Sequence, residues 1–257
     1  MGFLGDWAKN LARKIRVFSA KRGYVCDNCG VEVFSYPSAR LCVCCEEKMQ
    51  RNNGLCCPKC GRKTAAAGVC LLCKDELPKF SKGISTFVYE GECASLINRF
   101  KNGKRRLAYY FAENMAEECI RLYGERMREE TFLILPVPMT ESREKERGFN
   151  QAMELAEIFT SVLQEKGFQT ELDVEILQKI RESGPQKRMD FRARKENVAG
   201  AYHVHKRKAC RDRIIILIDD IMTTGATGSE CADRLYGAGA KEVIFFTATA
   251  LPERRKN

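Results

Sequence analysis

The chain has 257 residues, 44% of them hydrophobic and 30% charged, a composition that excludes disordered and fibrous classes and fits a soluble globular protein. No stretch approaches the eighteen or so uninterrupted apolar residues that span a bilayer, and the N-terminus lacks an apolar core with a small-residue cleavage site, so the expected location is the cytoplasm. The formal net charge of +10 is gathered in clusters at 1–25, 98–106 and 179–195; this suits phosphate-bearing ligands (nucleotides, nucleic acid or anionic lipid) and equally a plain basic surface.

In chain order, Phe3, Trp7, Leu11, Ile15 and Phe18 recur at spacings of three and four. They predict an amphipathic basic helix over 1–23, whose apolar stripe docks on the protein or lies on a membrane surface, docking being preferred. Asp6 stands where a myristoylation signal needs Ser or Thr.

A cysteine-rich module follows at 24–77. Four C-x-x-C pairs can be written: Cys26/Cys29, Cys42/Cys45, Cys57/Cys60 and Cys70/Cys73. Two such pairs supply the four thiolates of a tetrahedral zinc site, which replaces a core too small to fold alone. Combining consecutive pairs closes the shortest loops, which favours two sites in series over a cross-braced arrangement and leaves Cys44 and Cys56 spare. Cys57-Pro58-Lys59-Cys60-Gly61 reads as a zinc knuckle, with Gly61 giving the backbone room to turn amides toward sulfur. Redox cysteines or an iron–sulfur cluster are the competing reading.

Pro78 marks the start of a larger domain over 78–257. Residues 85–89 read as a strand, 96–120 show helical spacing, and 131–135 form an apolar run closed by Pro136, as in a buried parallel strand. Residues 151–164 read as a helix and 180–202, rich in Gly, Pro and alternating charge, as a long mobile loop. Then come a strand at 214–218, a helix at 227–236 and a strand at 243–249, a βαβ order that implies a parallel sheet. The two histidines, His203 and His205, fall two apart on a strand; they read as a polar face, since no third metal ligand is near.

The chemistry concentrates in Ile218-Asp219-Asp220-Ile221-Met222-Thr223-Thr224-Gly225-Ala226-Thr227. An apolar strand delivers Asp219 and Asp220 to the carboxyl edge of the sheet, and a Thr/Gly turn opens a helix, the place where open α/β sheets bind ligands. Amides and hydroxyls there cradle a phosphate while the acids accept hydrogen bonds from sugar hydroxyls. A Walker B strand is the rival, but no G-x-x-x-x-G-K-[ST] occurs, and helix capping alone needs neither the acid pair nor the Gly turn.

This segment resembles the 5-phosphoribosyl-1-pyrophosphate (PRPP) motif of type I phosphoribosyltransferases. With the upstream cysteine pairs, Phe87-Val88-Tyr89-Glu90-Gly91, Phe100-Lys101, Pro136-Val137-Pro138, Arg147-Gly148-Phe149-Asn150-Gln151-Ala152 and Asn197-Val198-x-Gly200-Ala201-Tyr202, the chain is similar in order and spacing to the ComF family over 24–250. The resemblance implies an α/β fold: a type I phosphoribosyltransferase-like parallel sheet flanked by helices, preceded by a double zinc ribbon with four cysteines per metal. It implies PRPP or a related phosphosugar as ligand, Asp219 and Asp220 at the ribose, and Thr223, Thr224, Gly225, Ala226 and Thr227 at the 5-phosphate. Val137 and Pro138 would form the pyrophosphate-side turn. Two structural zinc ions and a magnesium ion held largely by the ligand's oxygens complete the picture.

Arg143, Lys145 and Arg147, with Lys187, Arg188, Arg192 and Arg194 on the long loop, are candidate pyrophosphate or DNA contacts. No Ser-His-Asp or Cys-His set marks an acceptor nucleophile. Three functions remain open at this level. One is a DNA-uptake protein of natural transformation that binds single-stranded DNA, with Tyr24, Phe34, Tyr36, Tyr109, Tyr110 and Phe111 available for stacking. The others are a phosphoribosyltransferase with an unidentified base or amine acceptor, and an inactive adaptor for a helicase or other competence-machinery partner.

Overall fold

The computed structural model describes residues 25–35, 38–182 and 198–253. The expected helix over 1–23, the aromatics Tyr24 and Tyr36, and the basic residues Lys187, Arg188, Arg192 and Arg194 lie outside the described residues. The chain forms two compact units, Met1–Lys48 and Met49–Asn257.

The described part of the first unit is a small thiol-centred fold. A Val25↔Glu32 bridge and a one-turn helix α1 (Val43–Glu46) enclose a core of Cys26, Val33, Leu41 and Cys45. So few apolar side chains cannot offset the entropy of ordering the segment without a cross-link or a metal.

The second unit begins with a similar cysteine ribbon, carrying the one-turn helix α2 (Leu71–Asp75), and continues into an α/β domain. Its strands β1 (Lys82–Val88), β2 (Phe132–Pro136), β3 (Thr170–Leu172), β6 (Ile214–Met222) and β7 (Glu242–Ala250) form one sheet in the order β1-β7-β6-β2-β3, every pairing parallel. Central β6 is buried without a break from Ile214 to Ile218, as the expected apolar run requires of a strand covered on both faces. β4 (Leu177–Lys179) and β5 (Tyr202–Val204) pair antiparallel beside it. The stretch expected as one long loop from 180 to 202 is therefore bounded by strands on both sides; three residues are too few to show a period in sequence.

Helices α3 (Gly91–Lys101), α4 (Leu107–Tyr123), α5 (Arg126–Glu129), α6 (Glu141–Arg147), α7 (Gln151–Glu165), α8 (Arg207–Cys210) and α9 (Ala226–Gly237) connect the strands. The periodicity expected as one helical run over 96–120 is two helices, broken at Asn102-Gly103. On β7, Phe245 packs against Phe80 at 5.3 Å between ring centroids, and its neighbour Phe246 packs against Phe159 of α7 at 5.8 Å. Gly228 of α9 lies against the Phe245 ring and successive side chains of a strand face opposite ways, so α7 and α9 cover opposite faces. That division is what right-handed crossovers demand, because β2 to β3 and β6 to β7 run in opposite directions across the sheet. Tyr109, Tyr110 and Phe111, expected as stacking platforms, are buried: Phe111 and Tyr110 pack on Phe87 and fix α4 to β1. His203, on β5, and His205, just past the end of that strand, are both exposed.

Candidate functional site

The site arises where the sheet changes depth. β2 leaves β6 at Pro136↔Ile218, with the Val137 amide donating to the Ile218 carbonyl at 2.9 Å, while β6 and β7 stay paired as far as Met222↔Ala250. Asp219 and Asp220 thus stand on a strand with a neighbour on one side only, and a cleft of about 160 Å³ opens beside them. Its walls bring together Val137, Pro138, Arg143, Arg147, Asp219, Asp220 and Thr227, all expected from sequence.

The acids stay close and unequal. The Asp220 amide donates to Asp219 Oδ1 at 2.8 Å, and Lys101 Nζ lies 3.1 Å from Asp220 Oδ2. Burial, then the neighbouring Asp220 charge, pushes the Asp219 carboxyl from the ordinary 3.8 to about 7, against the pull of the Asp220 amide, Lys101 and Lys179. Burial lowers the Lys179 ammonium and raises the Tyr202 hydroxyl; Lys179 lies over the Tyr202 ring, 5.6 Å from its centroid.

Beyond Met222 the chain turns through Thr223, Thr224 and Gly225, and α9 begins at Ala226 with Gly225 in the left-handed region at φ 83°. Thr224 Oγ1 accepts the Ala226 amide at 3.3 Å. On the opposite wall, Asn150 caps α7: its Oδ1 accepts the Ala152 amide at 3.0 Å and its Nδ2 donates to the Val137 carbonyl at 3.3 Å. That bond ties the 137–139 turn to the helix. Lys145 points away from the cleft, pairing with Glu141 at 3.8 Å in an exposed position.

Sequence reasoning missed Lys101, Lys179 and Tyr202 as site residues. Lys101 and Tyr202 were inside quoted motifs, so a signal existed for both. Lys179 opens the basic cluster at 179–195, but its place in the cleft depends on the β4–β5 pairing.

The thiolates gather as consecutive pairs. Cys26, Cys29, Cys42 and Cys45 form one quartet and Cys57, Cys60, Cys70 and Cys73 the other, the sulfurs of each set lying within 4.8 Å of one another. Four sulfurs at about 2.3 Å from a metal stand about 3.8 Å apart in a tetrahedron; Cys29 to Cys42 and Cys60 to Cys70 are each 3.6 Å. N–H groups also reach the sulfurs: Cys42 N to Cys26 Sγ at 3.2 Å, Cys70 N to Cys57 Sγ at 3.4 Å and Arg62 Nε to Cys60 Sγ at 3.3 Å. Both quartets therefore fit a structural metal ion, with donors stabilising thiolate charge.

The knuckle glycine acts otherwise than expected. The Gly61 amide donates to the Cys57 carbonyl at 2.8 Å, not to sulfur. A Cβ on Gly61 would meet the Gly83 carbonyl oxygen at 2.3 Å, and one on Gly83 would meet the Cys60 carbonyl oxygen at 2.4 Å. The two glycines let the ribbon lie directly on β1.

Fold and site together define an open parallel α/β domain with an acid pair and a hydroxyl-rich turn at its carboxyl edge, in a chain with two four-cysteine groups that fit metal ions. No model of a known protein family matches the chain. It is a distant relative of the competence protein ComFC of Bacillus subtilis (strain 168), 27% identical over 219 residues, or 82% of this chain and 84% of that one. ComFC of Streptococcus pneumoniae is 28% identical over 80% of this chain and 86% of its own. The DNA utilization protein YhgH of Escherichia coli (strain K12) is 26% identical over 79% and 87%. These relatives bear out the ComF resemblance carried by the motifs. Among solved structures, a hypoxanthine phosphoribosyltransferase from Staphylococcus aureus aligns at TM-score 0.32 and 10% identity, covering 57% of this chain and 77% of that one. A hypoxanthine-guanine phosphoribosyltransferase from Bacillus anthracis aligns at 0.34 and 17%, covering 60% and 72%. Superpositions this loose settle nothing about the site. No described helix is long and apolar enough to cross a membrane.

Proposed function

We propose that the chain binds PRPP or a closely related phosphosugar at the carboxyl edge of a type I phosphoribosyltransferase-like domain, and that it serves DNA uptake from the cytoplasmic side. Asp219 and Asp220 accept the ribose hydroxyls, and Thr223, Thr224, Gly225, Ala226 and Thr227 hold the 5-phosphate at the start of α9. Val137, Pro138, Arg143, Arg147 and Lys179 face the pyrophosphate. The observation that carries this reading is the acid pair itself. Two carboxylates kept together with one pushed to about 7 are a costly arrangement that hydroxyl donors relieve.

When Mg²⁺ is bound, it neutralises phosphate charge and is held mainly by the ligand's oxygens and by water. Zinc is the metal that suits four thiolates with no redox task, one ion per quartet. The part in DNA uptake is supported by the likeness to ComFC, a competence protein, and to YhgH, a DNA utilization protein. The net charge of +10 supports binding of single-stranded DNA, and Phe34, 87% exposed, is a stacking platform in the first unit. Affinity for single-stranded DNA should fall steeply with salt; an affinity indifferent to salt would remove DNA from the proposal.

Phosphorus NMR of PRPP titrated with the full chain and Mg²⁺ tests the ligand. Broadening that disappears in Asp219→Asn supports the site, and an unchanged spectrum with wild type sinks it.

A second reading is transfer. An acceptor nitrogen forms a bond to ribose C1 as the bond from C1 to the pyrophosphate oxygen breaks; pyrophosphate leaves with the electron pair and the acceptor loses a proton. Arg143, Arg147 and Lys179 favour it, since they gather where the leaving charge grows. Pyrophosphate release above background with a base or amine acceptor would establish it, and none across a broad panel would leave binding alone.

A further inference from the structure

One charged side chain is buried between the second metal site and the phosphate turn. Arg62 is 4% exposed. Its Nε donates to Cys60 Sγ at 3.3 Å, its Nη2 to the Thr223 carbonyl at 2.7 Å and its Nη1 reaches the Leu251 carbonyl at 3.5 Å. These carbonyls belong to the residues that follow β6 and β7, and the Leu251 amide itself donates to the Met222 carbonyl at 3.0 Å. One guanidinium therefore spans both strand exits at the edge where the turn of residues 223–227 begins.

Charge explains why it stays there. A guanidinium is never neutral in a protein, so burying it requires a counter-charge. Among the described residues no carboxylate forms a salt bridge with Arg62. The negative charge it does meet is that of the quartet of Cys57, Cys60, Cys70 and Cys73, all buried, whose Cys60 sulfur it touches and which with a divalent ion carries two net negative charges. Removing the metal and oxidising the four sulfurs to two disulfides, with the four electrons taken by an added oxidant such as hydrogen peroxide, would abolish that charge and leave the guanidinium uncompensated, free to swing toward water and release Thr223.

Two further contacts make the ribbon a rigid base. Gly61 and Gly83 lie backbone to backbone, and Lys59 Nζ donates to the Phe80 carbonyl at 2.5 Å. The Phe80 ring in turn lies 3.7 Å from where a Cβ on Gly225 would be, so the ribbon reaches the turn from two sides.

We propose that Arg62 is a positioning residue for the phosphate turn, through which the metal state of the second cysteine site sets the turn's shape and so its affinity for the sugar phosphate. The part concerning affinity rests on the ligand proposed above; the mechanical coupling does not.

The test is hydrogen exchange by mass spectrometry on the full, metal-loaded chain, comparing wild type with Arg62→Met and Arg62→Lys, alongside metal content and PRPP titration. The expected result for Arg62→Met is both metals retained, amide exchange about tenfold faster in the peptide spanning 223–227, and α4 unchanged. The factor corresponds to losing a hydrogen bond from a charged donor. PRPP affinity should fall about tenfold or more. Arg62→Lys keeps the charge without the fork and should be intermediate; if Arg62→Met does not fold, this variant decides alone. Unchanged exchange at 223–227 with the metal in place, or equal acceleration in α4, overturns the coupling. If wild type shows no PRPP binding while the turn still responds to Arg62, the ligand proposal fails and the coupling stands.

Discussion

Asp219→Asn removes a carboxylate that the fold holds against its preference. The carboxyl sits at about 7 in place of 3.8, because it is buried and beside Asp220; at 1.36 kcal/mol per pKa unit such a displacement corresponds to about 4 kcal/mol. Asp219 is only half-buried, so solvent screening reduces this and about 2 kcal/mol is the expected share. The sign follows from the folded value lying above the unfolded one. The folded state holds this proton more tightly, so stability contributed at about pH 4 and below is lost progressively as pH rises to about 7 and is constant above it. Thermal melts of the two proteins without ligand, followed by circular dichroism at about pH 5 and about pH 8, read this out. The Asn variant should melt higher, by about 4–8 °C at pH 8, at 2–4 °C per kcal/mol, and by clearly less at pH 5. An offset identical at both pH values, or an Asn variant that melts lower at pH 8, refutes the reasoning. The same variant should lose phosphosugar binding, so that stability and function part company at this residue.

Gly83→Ala should destabilise the second unit by about 3 kcal/mol, since its Cβ would meet the Cys60 carbonyl oxygen at 2.4 Å and neither backbone can yield cheaply; a urea midpoint equal to wild type would contradict this. Lys101→Met removes the cation 3.1 Å from Asp220, one of the charges that restrain the upward shift of Asp219, so carboxyl-detected NMR should show Asp219 titrating at still higher pH; an unchanged or lower midpoint would count against the acid-pair electrostatics. Metal analysis of the purified chain should give two ions, with one lost in Cys60→Ser and both kept in Cys44→Ser and Cys56→Ser, since neither Cys44 nor Cys56 belongs to a quartet; loss of an ion from either of the last two would break the assignment of ligands.

The parts of this molecule legible in sequence are those that local chemistry fixes. The run from Ile214 to Ile218 could only be a covered strand, the following acids and Thr/Gly turn could be placed at its end, and C-x-x-C spacing gave both quartets and their sequential pairing. Less was readable where tertiary contact decides. The Asn102-Gly103 dipeptide that breaks the helical period over 96–120 is a local stop signal that the apolar spacing masked, with Gly103 at φ 98°; nothing local announces that the aromatics of α4 face β1. Lys101 meets Asp220 across more than a hundred residues of chain, and Lys179 reaches the cleft only because β4 pairs with β5. Arg62 looks in sequence like any cation beside a knuckle; only the exits of β6 and β7 reveal what it holds.

The central claim is that the acid pair and the turn at 223–227 form a seat for an anionic pentose. Isothermal calorimetry of the metal-loaded full chain, with PRPP and Mg²⁺ in one titration and inorganic pyrophosphate and Mg²⁺ in another, addresses it most directly. The account predicts saturable heat with PRPP, weaker binding with pyrophosphate because it lacks the ribose hydroxyls, and no PRPP heat in Asp219→Asn. No heat with PRPP, or equal affinity for both ligands, would contradict it.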